Sequence, residues 1–291
     1  MNERGIILLA AGHAYYGNYA FTLAVSIKNA TPDIPISILV EGAGINHLPG
    51  HKLAIFDKII HVDKECYTCK SSESRDIFKI KTCLYDLSPY KETLYFDVDM
   101  LWLPRKSVHQ LFDEFKDCDF SMSNRGSMSI SDAKHGFIQW ANPEHIKAAY
   151  GFTDEKIYNA SSEVIYFKKD KSVKKLFTQA KKNFDFPKVN YQIFGDNQPD
   201  ELSFIIAMMQ TGIYPHKDSF FPAYWEHYEK KNMSNAEMYQ KFYLASFGGS
   251  IQSNSTHQFY NNLAKYYLNK NGERHFPSQN KRDWATGRTH I

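Results

Sequence analysis

The sequence predicts an α/β fold built on a mainly parallel, twisted sheet with helices on both faces. Short continuous apolar runs recur along the first two-thirds of the chain, each closed by glycine or polar residues, and stretches of helical spacing alternate with them. Hydrophobic residues make up 43% and charged residues 23% of the 291 positions, enough to bury a large core without disulfides or metal. Strands that alternate with helices imply right-handed crossovers and a parallel sheet. Such sheets bind ligands beyond the carboxyl ends of their strands.

Ile6 to Ala11 reads as the first strand, ended by Gly12 and followed by helical spacing from Tyr19 to Asn29. Ile36 to Val40 and Lys58 to Val62 are the next two strands, the former stopped by Glu41-Gly42-Ala43-Gly44. Asp76 to Leu87 has helical spacing and Ser88-Pro89-Tyr90 ends it. Thr93 to Phe96 is a fourth strand that runs straight into Asp97-Val98-Asp99. A helix over 108–115, a short strand over 119–122, a flexible polar loop over 123–135, a strand over 164–167 and an amphipathic helix over 171–182 come next. Pro199 opens a helix over 200–209. Beyond Lys230 the chain is polar and Asn-rich, with no assignable pattern. The expected organisation is one domain over 1–265 and a basic, flexible C-terminal tail over 266–291.

The formal net charge of +3 argues against a dedicated nucleic-acid binder. Ile6 to Leu9 is too short for a secretory signal and no run approaches a membrane span, so a cytoplasmic location is expected. Aromatic residues reach 15%, which suits pockets that stack on bases or sugar rings and equally suits aromatic core layers. Cys66 and Cys69 form a C-x-x-C pair with no second pair at zinc spacing, so they read as ordinary thiols.

The chemistry concentrates at Asp97 and Asp99. Residues two apart on a strand project to one side, so the two carboxylates should converge at the strand end. Their repulsion favours a cation between them. Mg²⁺ or Mn²⁺ suits oxygen donors, leaves positions for water and phosphate, and would stabilise a departing diphosphate. Asp-x-Asp is common by itself; its place behind Leu94-Tyr95-Phe96 is what marks a site.

Phe78-Lys79-Ile80-Lys81, Leu84 to Tyr90 and Thr93 to Leu101 together resemble the core of glycogenin-like, retaining glycosyltransferases of the GT-A fold. The resemblance implies that Lys81 reaches the donor diphosphate, with Lys79 or Arg75 as fallbacks. It places Asp97 and Val98 at the donor, gives Asp97 contacts to ribose and metal, and makes Asp99 a metal ligand. Ala10-Ala11-Gly12 through Tyr15-Tyr16 is similar to the family's first strand and uridine-contacting loop. Ala10 and Ala11 would line the nucleotide, and Tyr15 or Tyr16 would stack on the base or pack at the strand-to-helix turn. Asn159 and Ser161, within Tyr158 to Val164, resemble an Asn-x-Gly strand that lines the sugar, with Ser for the usual Gly. Asp196 to Leu202 resembles the family's Asp-Gln helix start. Asp200 would lie near the transferred sugar or cap the helix, and Glu201 replaces the usual Gln. Asp200, Glu201 and Lys81 are thus the catalytic candidates. The family closes its metal site with a C-terminal His-x-x-Gly-x-x-Lys, which is not recognisable here; His257 is the candidate third ligand, with His216 as the other.

The implied activity is metal-dependent transfer of a hexose from a nucleotide-sugar donor, a UDP-sugar, to an acceptor hydroxyl with retention. The acceptor, a glycan, protein or small molecule, would sit among variable loops at 123–135 and after Phe220. Phe220 to His227 reads either as such a pocket or as a flap over the core. Three rivals share parts of the pattern. A sugar-phosphate nucleotidyltransferase needs Gly-x-Arg where His13-Ala14-Tyr15-Tyr16 stands. A haloacid-dehalogenase-type phosphatase carries its Asp-x-Asp on the first strand. A non-catalytic sugar- or partner-binding protein on a transferase-like fold would not need the missing histidine motif.

Overall fold

The computed structural model describes residues 2–193, 197–217, 219–224, 227, 233–248 and 254–272, with side chains from 3 onward and not for 254–257. The main sheet is built from β1 (Asn2–Ala10), β2 (Ile36–Val40), β3 (Lys58–His61) and β4 (Tyr90–Phe96), joined by two long later strands. β5 (Met100–Trp102) stands outside it, followed by β6 (Phe120–Ser129) and β7 (Lys156–Lys168). The six strands run in the order β3-β2-β1-β4-β7-β6. The first four are mutually parallel, whereas β7 is antiparallel to β4 and β6 antiparallel to β7.

Side chains alternate between two cores. Ile6, Leu8, Leu94 and Phe96 face one layer, and Ile7, Leu9 and Tyr95 the other. The first layer is α1 (Tyr15–Ala30), with α4 (Val108–Glu114) started by a Ser107–Gln110 capping box. The second holds the 3₁₀ segment Ile77–Cys83, α3 (Leu84–Leu87), α5 (Pro143–Tyr150), α6 (Lys171–Asp185) and α7 (Asp200–Thr211). Asn142 and Asp170 cap α5 and α6, while left-handed Gly151 and Gly212 stop α5 and α7. The short α2 (Gly50–Leu53) precedes β3.

Several expectations change. Residues 76–87 are not one α-helix: Asp76 caps a 3₁₀ segment, and only the last turn is α. The loop expected over 123–135 is strand as far as Ser129, because β6 pairs with the long β7 across two register shifts. The patternless C-terminal portion contains α8 (Asn235–Lys241), β8 (Leu244–Ser246) and α9 (Asn254–Lys270). β8 pairs antiparallel with β5, and α9 buries Tyr260, Leu263, Ala264, Tyr267 and Leu268 in the first core. α9 therefore runs past the boundary drawn at 265, and residues 273–291, most of the expected tail, lie outside the described residues. No helix among the described residues is long and apolar enough to cross a membrane.

Candidate functional site

Strand order reverses between β1 and β4, so the loops after these two strands face one crevice at the carboxyl edge of the sheet. Gly12 to Tyr15 leave β1, and Asp97 to Asp99 leave β4. The two aspartates do not extend the strand, as the sequence reading held: β4 ends at Phe96, and Asp97-Val98-Asp99 turn the chain into β5. The turn, not the pleat, brings the carboxylates together. It is fixed at both ends, because the Asp97 amide donates to the Glu163 carbonyl at 2.9 Å and the Phe247 amide to the Asp99 carbonyl at 3.0 Å.

Asp97 is saturated. The Tyr95 hydroxyl donates to it at 2.5 Å, and Lys81 Nζ lies 3.0 Å from each carboxylate oxygen. Lys81 also donates to Ser162 Oγ at 2.8 Å and sits 3.6 Å from Asp200 Oδ2. Burial opposes the lysine's charge, but Asp200 and Asp97 more than offset this and hold it protonated well above the ordinary lysine range. Asp99 differs: no other described residue gives its side chain a hydrogen bond. Burial, then the charges of Asp97 and Glu163, push its pKa up to about 7.

Asp200 and Glu201 open α7, where acidic side chains suit the helix dipole. Pro199, not Asp200, is the N-cap. Asp200 is only 1% exposed and lies against Lys81, away from any open space. Glu201 instead reaches the wall of a cavity of about 700 Å³, whose lining includes Asn159, Ser161, Glu163, Arg125, Trp140 and Tyr224. Burial and Asp200 push Glu201 up to about 8. Asn159 and Ser161, expected from the resemblance to line the sugar, thus line this cavity.

Other candidates are placed as follows. Tyr16 is half-buried and near both aspartates, whose charges, after burial, raise its phenol. Tyr15 stacks on His13 with centroids 4.5 Å apart. Ala10 and Ala11 are buried, and a Cβ on Gly44 would lie 2.2 Å from the Ala10 carbonyl, so the 41–44 turn covers that group. The Val98 side chain packs in the core. Lys79 is no fallback, being wholly buried and paired with Asp185 at 2.7 Å. Arg75 grips Glu41 at 2.6 Å, and Glu41 in turn accepts from the Gly12 amide at 3.0 Å. Of the Phe220–His227 segment, Tyr224 reaches the cavity and Phe221 stacks with His227. His216 is exposed after α7. The His257 backbone lies in the first turn of α9, one turn before Tyr260, but its side chain lies outside the described residues. Among the described residues no third ligand joins the aspartates in a metal-binding group.

No protein-family model and no curated protein matches the chain. Solved structures do. Galactosyltransferase LgtC, in complex with donor and acceptor sugar analogs, superposes with a TM-score of 0.56 at 16% identity, over 90% of this chain and 95% of that one. Mouse xyloside xylosyltransferase 1 in its apo form gives 0.52 at 10% identity, over 86% and 99%. The bifunctional glycosyltransferase WbbM gives 0.54 at 12%, over 85% of this chain and 46% of that one. The chain has the GT-A glycosyltransferase fold.

Within that GT-A frame, two site residues carried no sequence signal of their own. Ser162 is fully buried and bridges Lys81 to Glu201, its Oγ lying 3.3 Å from Glu201 Oε1. Glu163 accepts from Ser161 Oγ at 3.0 Å, and burial and Asp97 raise its carboxyl. Only their place on β7, three and four residues after Asn159, could have flagged them.

Proposed function

We propose that the protein is a metal-dependent hexosyltransferase of the glycogenin-like kind, using a UDP-sugar and transferring its sugar with retention to an acceptor hydroxyl. The observation that carries this is Asp99: a carboxylate to which no other described residue gives a hydrogen bond, set beside Asp97 and Glu163 at the carboxyl edge of an inner strand. Oxygen donors of this kind, crowded by like charge, fit Mn²⁺ or Mg²⁺. Asp97 and Asp99 would hold the ion, with His257 as the third ligand. Bound there, the cation would neutralise the donor's diphosphate and ease its departure.

The chain's own residues do the rest. Lys81, kept charged by Asp97 and Asp200, turns its ammonium to the diphosphate as negative charge builds on the leaving oxygen. Ser162 and Asp200 hold that ammonium in place. Glu201, on the cavity wall, orients the acceptor hydroxyl, whose proton passes to the departing diphosphate oxygen as the sugar's bond moves from that oxygen to the acceptor. Tyr16, or Tyr15 with His13, supports the base. One observation favours the binding-only alternative: both Asp97 oxygens are already engaged by Lys81 and Tyr95. Thermal unfolding with a panel of nucleotide-sugars, with and without Mn²⁺, tests the proposal. Stabilisation by UDP-sugars that requires Mn²⁺, with slow donor hydrolysis, is expected. Absence of any Mn²⁺-dependent shift defeats it, and a shift without hydrolysis favours the binding-only reading.

A further inference from the structure

The α6 helix has two unlike faces. Val173, Leu176, Phe177, Ala180 and Phe184 are buried against the sheet. Lys171, Lys174, Lys175 and Lys182 lie opposite, at positions i, i+3, i+4 and i+11, a stripe roughly 16 Å long. Their neighbours Lys168 and Lys181 pair with Asp119 and Glu65, but none of these four has a carboxylate partner among the described residues. Asp170, at the head of the helix, is turned to its own capping bonds with Ser172. Just past the helix end the chain carries Phe186, 53% exposed, and further along the same connection Ile193, 61% exposed.

We propose that this face docks on an anionic membrane surface, with the lysines against lipid phosphates and Phe186 and Ile193 entering the headgroup boundary. Charge complementarity selects the occupant. A row of unpaired cations with bare apolar side chains past its end suits a surface that is negative outside and apolar just beneath. A soluble polyanion would leave Phe186 and Ile193 in water. Gln192, next to Ile193, lines the cavity of the candidate site, and its amide donates to the Trp140 carbonyl at 2.8 Å.

The test is co-sedimentation of the full chain with vesicles of phosphatidylcholine alone or mixed with phosphatidylglycerol, without nucleotide. Binding to the mixed vesicles only is expected. Lys174→Gln with Lys175→Gln should weaken it about fivefold per lysine removed. Phe186→Ser with Ile193→Ser should weaken it too, at unchanged thermal stability. Equal binding to neutral vesicles, or none to either, overturns the proposal. So does full binding by the lysine variant, which moves the contact elsewhere on the chain. Loss by the lysine variant with full retention by the Phe186/Ile193 variant marks plain polyanion attraction and also overturns it. UDP and Mn²⁺ binding in solution, measured on the same variants, should not change, so this surface can fail while the donor site stands.

Discussion

At Asp99, burial and the charges of Asp97 and Glu163 hold the carboxyl proton up to about 7, far above an ordinary aspartate. The metal-free folded state therefore binds this proton more tightly than the unfolded chain does. The resulting penalty is absent below the ordinary aspartate range, grows as pH rises, and is complete above about 7. A divalent ion bound there, as proposed, would remove it and would have to displace the proton to bind. Mn²⁺ affinity should thus climb from pH 6 to pH 8 with proton release at the lower end, measurable by calorimetry in buffers of differing ionisation enthalpy. A flat profile would place the ion elsewhere. Asp99→Asn should unfold no earlier than wild type in metal-free buffer at pH 8, yet lose Mn²⁺-dependent UDP binding and turnover. Asp97 and Asp99 drew attention because they follow an apolar strand, and Lys81 because of the family resemblance; the structure brings Lys81 against Asp97. Ser162 and Glu163 drew none, since one serine and one glutamate on a strand look like any solvated pair until Lys81 is seen between β7 and α7.

The 3₁₀ segment Ile77–Cys83 gives two nearby lysines opposite fates. Lys79 turns into the second core, donating to the Thr68 carbonyl at 2.5 Å and pairing with Asp185. Lys81 turns to the crevice. Lys79→Ala leaves Asp185 buried and unpaired, and should cost roughly 3 kcal/mol in chemical denaturation while the folded fraction keeps its UDP affinity. Lys81→Ala should weaken UDP binding in the presence of Mn²⁺; unchanged affinity would remove Lys81 from the donor site. Helical spacing was legible over this stretch, but across two turns periods of 3.0 and 3.6 diverge too little for an apolar pattern to separate them. In α9, Tyr260, Leu263, Ala264, Tyr267 and Leu268 do sit at helical spacing, yet tyrosines provide two of the five and asparagines surround them. The amphipathic signal is therefore faint in a polar segment.

For the molecule as a whole, the parallel β1–β4 half and its switch point were legible because each strand is a continuous apolar run. The antiparallel half was shortened in the reading, because β6 and β7 alternate with polar residues that face the cavity and the crevice. The first core is closed by the far end of the chain: β8 on β5, and α9 on α1 and β5. Deleting residues from 254 onward should therefore lower the unfolding temperature sharply rather than trim a dispensable tail, which differential scanning calorimetry would register. The same closure sets an order of assembly. During synthesis Asp97, Asp99 and Lys81 leave the ribosome long before Phe247, whose amide locks the Asp99 carbonyl. A nascent or prematurely terminated chain then exposes the acidic turn without its clamp. The turn that the proposed donor site is built on is therefore clamped only after β8 has been made, about 150 residues downstream of Asp97.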